Sequence, residues 1–307
     1  MSNRTTSNQC NLAALASLIV SSIAFAGDNL DAEFNPLLSR YEATKLSAGT
    51  RINSSNIASF RQWLDDSVAD LIADQALTLT LGPSLEIPIH PNYRKASEEN
   101  LNETAIGDAP GELLGYAGGR PFLKLESSDP QAGLKAAWNM RYSYAPDETE
   151  TEQFNWHYRD MRKDKIERTL KMYGAILRYK YRHTDKPIPA LANNPSNLYT
   201  ALYLQVKAPQ DIRNTQLLIH RNEVDSVTEQ AWMYMSSQRR VRRLATGQKT
   251  DAFLGSDIMI EDFLGYNGRI MDMDWQYLGS DELLLPIYGH SQLTSWQEPP
   301  DESGFQL

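Results

Sequence analysis

The sequence predicts an α+β fold with one large antiparallel sheet and a few helices. Two observations support this class. From Lys171 to Tyr288, several short segments alternate between apolar and polar residues with period two, which is typical of half-buried strands. Helical periodicity occurs only in a few separate stretches. The chain has no internal repeat of fixed period, which argues against a propeller or a solenoid.

The first 26 residues have the parts of a cleavable signal peptide. Arg4 lies in a polar start, Leu12 to Phe25 is an apolar run, and Ala24-Phe25-Ala26 offers a cleavage site before Gly27. A membrane anchor is the alternative, but a spanning helix needs about 20 apolar residues and this run is shorter. We therefore expect Met1 to Ala26 to direct the chain to the periplasm, with no membrane-spanning segment after processing.

Composition restricts the class of partner. The formal charge of −9 argues against nucleic acid. The one cysteine, Cys10, precedes the apolar run, so we expect neither a disulfide nor a lipid-modified cysteine in the processed chain. Beyond the signal peptide we expect a loosely ordered lead-in over residues 27–52, one domain over 53–288 and a flexible tail over 289–307.

Two elements are predicted at the start of the domain. Apolar residues at steps of three and four, after the capping candidates Asn53 to Ser55, predict an amphipathic helix with Ile57, Phe60, Leu64, Val68 and Leu71 on one face. Leu77 to Leu81 alternates strictly and Gly82-Pro83 ends it, which predicts a strand. Glu86 to Pro91 contains two prolines and is predicted to be extended.

A turn and a short helix are predicted ahead of the main sheet. Tyr116 to Phe122 contains a glycine pair and Pro121, which is typical of a turn. No GxGxxG and no following Lys-Ser or Lys-Thr supports phosphate binding there. Pro130 to Met140 is predicted to be a helix with Leu134, Ala137 and Trp138 facing inward.

The main sheet is predicted from alternation after Lys171. One face of the first strand carries Tyr173, Ala175, Leu177, Tyr179 and Tyr181, and the other carries Arg178, Lys180 and Arg182. The pattern returns at Thr215, Leu217 and Ile219, and then at Trp232 and Tyr234. Ser236-Ser237 is predicted to be a hairpin turn and Arg239 to Arg243 the returning strand, with Val241 inward.

Three weaker elements are predicted towards the end of the domain. Asp257 to Leu264 is predicted to be a short helix capped by Ser256 or Asp257. Trp275 and Tyr277 alternate again, and Leu283 to Ile287 is the last strand candidate. The tail from Trp296 has too few apolar residues to pack.

Several motifs resemble the bacterial domain of unknown function DUF1329, in the order of that family. They run over Asn56 to Pro83, Ile87 to Tyr93, Tyr116 to Phe122, Ala136 to Asn139, Ala231 to Tyr234 and Gln238 to Arg243. A second resemblance, to outer-membrane lipoprotein-sorting proteins, is carried by Arg239 to Arg243, Gly255-Ser256-Asp257 and Glu261-Asp262-Phe263. Together these resemblances cover Asn53 to Tyr288.

The resemblance implies a fold like that of the lipoprotein carrier LolA. Such a fold is a strongly curved antiparallel half-barrel whose concave apolar side is covered by helices. It also implies a hydrophobic or lipid ligand, an inner-membrane transporter and an outer-membrane protein as partners. Family members usually continue with further strands beyond Leu285-Pro286-Ile287-Tyr288, so we expect the sheet of this chain to be incomplete at its C-terminal end.

Motifs for catalysis are lacking in the sequence. Five separated histidines have no metal-ligand spacing, and Asp272 and Asp274 lack the Gly and Glu of a calcium loop. No GxSxG elbow is present. We therefore expect no enzyme activity, no metal and no cofactor, although carboxylates distant in sequence could still meet in one site.

The candidate ligand-binding residues come from the strands and the arginine block. Strand aromatics form an ordinary core or line a cavity for an acyl chain. The arginine block from Arg239 to Arg243 has two interpretations. It is a strand with one solvated face or with arginines paired to Asp257, Glu261 and Asp262, or it binds an anionic head group or an acidic partner. The candidates are Tyr179, Leu217, Ile219, Trp232, Tyr234, Val241, Arg240 and Arg242. A scaffold protein without ligand is the alternative function.

Overall fold

The computed structural model describes residues 48–82, 89–160, 162–163, 165–245, 251–263, 265–280 and 283–284. The predicted signal peptide, most of the lead-in and the tail lie outside these residues. The chain divides into two compact units, one from His90 to Tyr277 and a smaller one that takes the described residues up to Ile89 and from Leu278 on. The prediction of one domain over 53–288 stays a prediction.

The smaller unit contains one α-helix and a two-stranded sheet among its described residues. Short 3-10 turns at Ile57–Ser59 and Arg61–Trp63 precede helix α1, Asp66–Ala73. Strands β1, Arg51–Ile52, and β2, Leu79–Thr80, pair antiparallel. A small core joins these elements through Ile52, Ile57, Leu64, Ala69 and Ile72.

The predicted helix across Ile57 to Leu71 is wrong in extent. Leu64 has an extended backbone, and the Asp65 carboxylate accepts a hydrogen bond from the Ser67 N–H, so Asp65 caps α1 in place of Asn53 to Ser55. Leu71 is 42 % exposed. The strand predicted over Leu77 to Leu81 is confirmed only at Leu79–Thr80.

The larger unit begins with a helix that the sequence analysis did not predict. Helix α2, Pro91–Glu99, has Pro91 at its first position, where a missing N–H costs nothing, and His90 Nδ1 accepts a hydrogen bond from the Asn92 N–H. The prediction of extended chain up to Pro91 is therefore wrong at its end; residues 83–88 lie outside the described residues. Strands β3, Ala105–Ile106, and β4, Leu113–Leu114, form a short hairpin.

The predicted turn and the predicted helix before the sheet are both confirmed. Residues 115–123 contain bends and no helix or strand, and Gly119 has a φ of +73° in a position where a Cβ atom would lie 2.4 Å from the Ser97 nitrogen. Helix α3, Ala132–Arg141, buries Ala137 and Trp138 against Tyr142, Tyr199 and Ile270.

The main sheet has six antiparallel strands in chain order. They are β5, Glu148–Asp160; β6, Lys165–Arg178; β7, Leu198–Ala208; β8, Gln216–Asn222; β9, Gln230–Met235; and β10, Arg240–Leu244. In the described part of the chain β5 and β10 do not pair, so the sheet stays open. Register shifts interrupt the β5–β6, β6–β7 and β7–β8 pairings, and such bulges bend and twist strands. The predicted α+β class is confirmed.

One face of this sheet, called the inner face below, carries the larger core. Leu170, Met172, Leu204, Val206, Leu217, Ile219 and Ala231 are buried on it. Phe253 and Ile260, from 3-10 turns at Phe253–Gly255 and Ile260–Asp262, pack on the same face. Of the predicted helix over Asp257 to Leu264, the described residues form only the three-residue turn Ile260–Asp262, and Leu264 lies outside them. The side chain of Asp262 accepts a hydrogen bond from the Met259 N–H at the start of the turn.

The strand predictions differ from the structure at three places. β6 begins before Lys171 and ends at Arg178, and Tyr181, which the sequence places on the same strand, has a left-handed φ of +60° that a strand does not accommodate. Trp275 and Tyr277 lie in irregular chain, where the Trp275 indole N–H donates to the Ile270 carbonyl. Leu283 and Leu284 are not in a strand, and residues 285–287 lie outside the described residues.

Candidate ligand-binding site

Two adjoining cavities lie on the inner face of the main sheet. One, the apolar cavity, has a volume of about 100 Å³, and the other, the arginine cavity, has a volume of about 120 Å³. Both are lined by Thr149, Ile176 and Leu202, so they share this part of their wall. These three residues lie side by side in the register of β5, β6 and β7. The cavities therefore follow one another along the strands.

The apolar cavity is lined mainly by carbon. Its walls include Phe154, Trp156, Leu204 and Phe263, and Gly174 lies in the strand between them. A Cβ atom at Gly174 would lie 3.3 Å from both the Leu204 and the Phe154 side chains, so glycine leaves space that any other residue would begin to fill. An apolar wall of this kind binds hydrocarbon through burial and offers little to a polar ligand.

The arginine cavity begins one row further along the same strands. Arg178 on β6 and Arg221 on β8 flank Thr200 on β7 in direct register. Because neighbouring strands lie about 4.8 Å apart, the two arginine Cα atoms are separated by about 10 Å across the sheet. Arg141, from the end of α3, also lines this cavity. Three arginines that are far apart in sequence thus meet in one place.

Arg178 is buried beside a carboxylate and an imidazole. Its Nε lies 3.8 Å from Asp147 Oδ1, and its Nη1 lies 3.3 Å from His183 Nδ1. The other Asp147 oxygen accepts hydrogen bonds from the backbone N–H groups of His183, Thr184 and Asp185. Burial acts to raise the pKa of Asp147, but these backbone hydrogen bonds and the charge of Arg178 hold it below its usual value.

His183 is neutral at physiological pH because of this setting. Burial, aided by the charge of Arg178, lowers the pKa of His183 from 6.5 to about 4, although Asp147 acts in the opposite direction. Arg178 is therefore the cation of this group of three, and Asp147 is its counter-ion.

Arg221 is the least satisfied of the three arginines. Its Nε lies 3.5 Å from Glu229 Oε1, while its Nη2 is buried without a hydrogen-bond partner among the described residues. Burial and the charge of Arg141 lower the pKa of Arg221 to about 10. At neutral pH Arg221 still carries its charge, and a buried donor without a partner favours an acceptor that enters the cavity.

Arg141 has closer partners than Arg221, although its Nε is also buried without a hydrogen-bond partner among the described residues. Its guanidinium forms an ion pair with Asp225, and both side chains are almost fully buried. Its Nη2 also donates to the Asn222 carbonyl, and the guanidinium lies over the Trp138 and Tyr142 rings. Asp225 in turn accepts hydrogen bonds from the backbone N–H groups of Ile270 and Met271. This pair fixes the end of α3 beside the cavity.

The structure brings only one of the residues predicted from sequence, Ile219, to a cavity wall, and it buries a second, Leu217, in the core of the same face. Leu217 and Ile219 are buried on the inner face, and Ile219 lines the arginine cavity. Trp232, Tyr234 and Val241 belong to the opposite face, because their neighbours Ala231 and Met233 pack in the inner core. The interpretation of Val241 as an inward residue is wrong, since it is 64 % exposed.

The other three predicted residues also lie away from the cavity walls. Tyr179 follows the end of β6 and donates its N–H to the Tyr199 carbonyl. Arg240 and Arg242 are exposed on β10, and Arg242 donates to the Gln238 side chain. Among the described residues, the arginines of this strand form no ion pair with Asp257, Glu261 or Asp262. As binding residues, these three stay predictions.

Sequence reasoning missed Arg141, Arg178 and Arg221 as a group. The sequence pattern places Arg178 only on a polar strand face, and it does not single out Arg141 or Arg221. The one available signal was an arginine inside a strongly apolar strand, as at Leu217 to Arg221. Within the described ranges, no cluster of three or more potential metal ligands occurs, and no helix is long and apolar enough to cross a membrane.

The fold and the cavities define an α+β protein with an open antiparallel sheet and an apolar, arginine-ended hollow on one face. The family described as protein of unknown function DUF1329 matches residues 51–303, and the chain belongs to this family. The resemblance to DUF1329 predicted from sequence is thereby confirmed, whereas the likeness to lipoprotein-sorting proteins stays a prediction.

Two further proteins are similar to this chain. An uncharacterized protein of Pseudomonas aeruginosa is 25% identical over 224 residues, which cover 66% of this chain and 44% of that protein. The crystal structure of a DUF1329 family protein from Desulfovibrio piger ATCC 29098 matches with 17% identity and a TM-score of 0.38, over 50% of this chain and 57% of that chain. This chain spans less than half the length of the Pseudomonas relative.

Proposed function

We propose that the protein is an exported, periplasmic binding protein that holds or passes on a hydrophobic ligand, such as a lipid or a lipoprotein acyl chain. The observation that carries this proposal is the apolar cavity on the inner face of the sheet. Hydrocarbon gains about 0.8 kcal/mol for each methylene that it buries, and this needs apolar walls and no reactive group. The proposal is therefore one of binding and not of catalysis.

The size of the cavity limits the ligand. A volume of about 100 Å³ is below the roughly 300–1,000 Å³ of pockets that enclose drug-sized molecules. The cavity suits a segment of one thin chain, and not several chains side by side. A single acyl chain is thus the ligand that this proposal favours.

Export is supported by the N-terminal sequence alone. Arg4, the apolar run and the Ala24-Phe25-Ala26 site have the pattern of a signal peptide. Partners of the transporter type and an outer-membrane protein follow from the resemblance to lipoprotein-sorting proteins. Cell fractionation with N-terminal sequencing is the test, and a mature protein that starts at Gly27 in the periplasmic fraction is the expected result.

The binding proposal is tested by filling the cavity. Gly174→Val places two methyl groups between Leu204 and Phe154, so we expect it to lower the uptake of a fluorescent fatty acid by about tenfold or more. Lys171→Val is the matched control, because Lys171 is exposed on the same strand. We expect this control to leave uptake unchanged, and circular dichroism verifies that both variants fold.

Native mass spectrometry followed by lipid extraction provides an independent measurement. Protein purified from the periplasm without harsh detergent is expected to carry an acyl-chain compound. A ligand-free mass, together with no uptake of the fluorescent fatty acid by the unmodified protein, would contradict the proposal.

A scaffold function is the second candidate, and one observation favours it. Strand β10 carries exposed arginines at Arg240, Arg242 and Arg243, at an edge of the sheet as the described residues define it. Exposed guanidinium groups suit an acidic protein partner. If this candidate is right, the unmodified protein will take up no fluorescent fatty acid. The double variant Arg240→Glu with Arg242→Glu will also lose the association with outer-membrane proteins that the unmodified protein shows.

A further inference from the structure

The arginine cavity and the apolar cavity together suit an amphiphile. We infer that the arginine cavity binds the oxyanion head group, carboxylate or phosphate, of a ligand whose single apolar chain lies in the adjoining apolar cavity. This inference rests on the proposed binding function and adds to it the charge of the ligand and its orientation. Arg178 and Arg221 are the residues that would contact the head group.

The order of residues along β6 supports this orientation. Arg178 lines the arginine cavity, Ile176 lines both cavities, and Gly174 lines the apolar one. Since a strand rises about 3.4 Å per residue, Gly174 lies about 14 Å from Arg178 along the strand. A ligand with its head at Arg178 thus extends its chain past Ile176 towards Gly174, along one strand and on one face.

The charges that face the arginine cavity are all positive. Arg141, Arg178 and Arg221 line it, and no Asp or Glu is among its lining residues. The counter-ions Asp147 and Glu229 approach the Nε atoms of Arg178 and Arg221 at 3.8 Å and 3.5 Å. These distances are long for an arginine–carboxylate pair, which closes at about 2.7–2.9 Å when its hydrogen bonds form.

The unpartnered Arg221 nitrogen gives the second, independent observation. Arg221 Nη2 is buried and has no partner among the described residues, and leaving such a charged donor unpaired is costly. An oxyanion in the cavity would accept from it. Thr200, between Arg178 and Arg221 in the register, supplies a hydroxyl in the same row. Bidentate guanidinium contacts favour planar carboxylate and phosphate oxygens over neutral polar groups.

The arrangement disfavours two other kinds of ligand. A cationic amphiphile would meet three guanidinium groups in a site of low dielectric constant, where repulsion is strong. A neutral alcohol could fill the apolar cavity equally well, but its hydroxyl oxygen is an uncharged, weaker acceptor that leaves the charge of Arg221 without a counter-ion. Ligands with the same apolar chain gain the same affinity from the apolar cavity. Differences in affinity among them therefore come from the head group.

The test compares four ligands that share a twelve-carbon chain: dodecanoate, dodecyl phosphate, dodecanol and dodecyltrimethylammonium. Isothermal titration calorimetry on the full-length processed protein, below the critical micelle concentrations, measures each affinity. We expect at least one of the two oxyanions to bind about ten- to a hundredfold more tightly than dodecanol, and the cationic ligand to bind most weakly. The stronger of the two oxyanions identifies carboxylate or phosphate as the preferred head.

Variants then assign the effect to the cavity. Arg221→Gln is expected to lower the affinity for the oxyanion about tenfold, towards that for dodecanol, while leaving dodecanol binding unchanged, because Arg178 still contacts the head group. Arg243→Gln removes an exposed arginine from β10 and is the control that should change neither affinity. Arg221→Lys keeps a charge without the guanidinium fork, so an intermediate affinity is expected. Circular dichroism and urea unfolding verify the fold of each variant.

The outcomes separate the two proposals. Equal affinities of the unmodified protein for dodecanoate, dodecyl phosphate and dodecanol would overturn this inference and leave the binding function intact. Failure of all four ligands to bind would overturn both. Because this comparison of ligands uses the unmodified protein, it tests the oxyanion preference even if Arg221→Gln does not fold.

Discussion

The arginines of the exposed edge strand and those of the inner cavity differ in almost every physical respect. Arg240, Arg242 and Arg243 are adjacent in sequence, exposed and free of ion pairs with described carboxylates. Arg178 and Arg221 are far apart in sequence, buried and each accompanied by a buried acid. Exposed arginines keep their hydration, so a run of them at the surface carries little free-energy cost. A buried arginine loses its hydration, and this cost implies a structural or functional reason for its position.

The difference shows where a chemically distinctive site arises in this fold. Antiparallel register places Arg178, Thr200 and Arg221 in one row across three strands. Desolvation there strengthens every electrostatic interaction, while solvent screens the arginines of β10. Substitutions of the acidic partners of a buried and of an exposed arginine test this difference in electrostatic strength most directly.

The largest loss of stability is expected from substitution of Asp225, the acidic partner of Arg141 in the arginine cavity. Asp225→Ala removes the counter-ion of Arg141 and two backbone hydrogen-bond acceptors, so we expect the free energy of unfolding to fall by about 3–5 kcal/mol. Urea unfolding followed by circular dichroism measures it. The matched control is Asp211→Ala, which breaks the exposed pair with Arg168 and should cost less than about 1 kcal/mol. Equal losses in the two variants would contradict the contrast.

An intermediate effect is expected from pH, through the group around Arg178. The pKa of His183 is about 4 in the folded protein and near 6.5 in the unfolded chain, so between these values only the unfolded chain binds the proton. The free energy of unfolding should therefore fall as pH is lowered from 6.5 to 4, by up to about 3 kcal/mol. Above pH 6.5 this contribution is fully present.

The variant His183→Gln isolates that contribution. It removes the titrating group, so the stability of the variant should depend less on pH between 6.5 and 4 than that of the unmodified protein. Urea unfolding at half-unit pH steps makes the comparison. If the two proteins lose stability in parallel over this range, His183 is not the group responsible.

The smallest effect is expected at the exposed edge. Arg240→Ala with Arg242→Ala removes two solvated charges, and we expect a change in unfolding free energy within about 0.5 kcal/mol per site and no change in fatty-acid uptake. Thermal unfolding and the uptake measurement check both. Reduced fatty-acid uptake in this variant would instead indicate that the ligand binds at β10, as the sequence predicts for Arg240 and Arg242.

Elements with a clear apolar period were predictable from the sequence. Helix α3 with its buried Trp138 and strand β8 with Leu217 and Ile219 follow from spacing alone. Strand β5 was not predicted, because it carries threonines and glutamates, such as Thr149 and Thr151, where apolar residues would signal a strand. Helix α2 is not predictable from its Pro91 alone, because proline suits both extended chain and the first position of a helix.

By itself the sequence determined the fold class, the family and single elements such as α3 and β8, because alternation and helical periodicity are local properties of neighbouring residues. Only the tertiary structure decided which face of each strand is covered. It also decided that Arg141, Arg178 and Arg221 meet at the end of an apolar cavity. Their meeting depends on the register between strands and on the packing of α3, and these are long-range contacts that leave no trace in the spacing of residues along the chain.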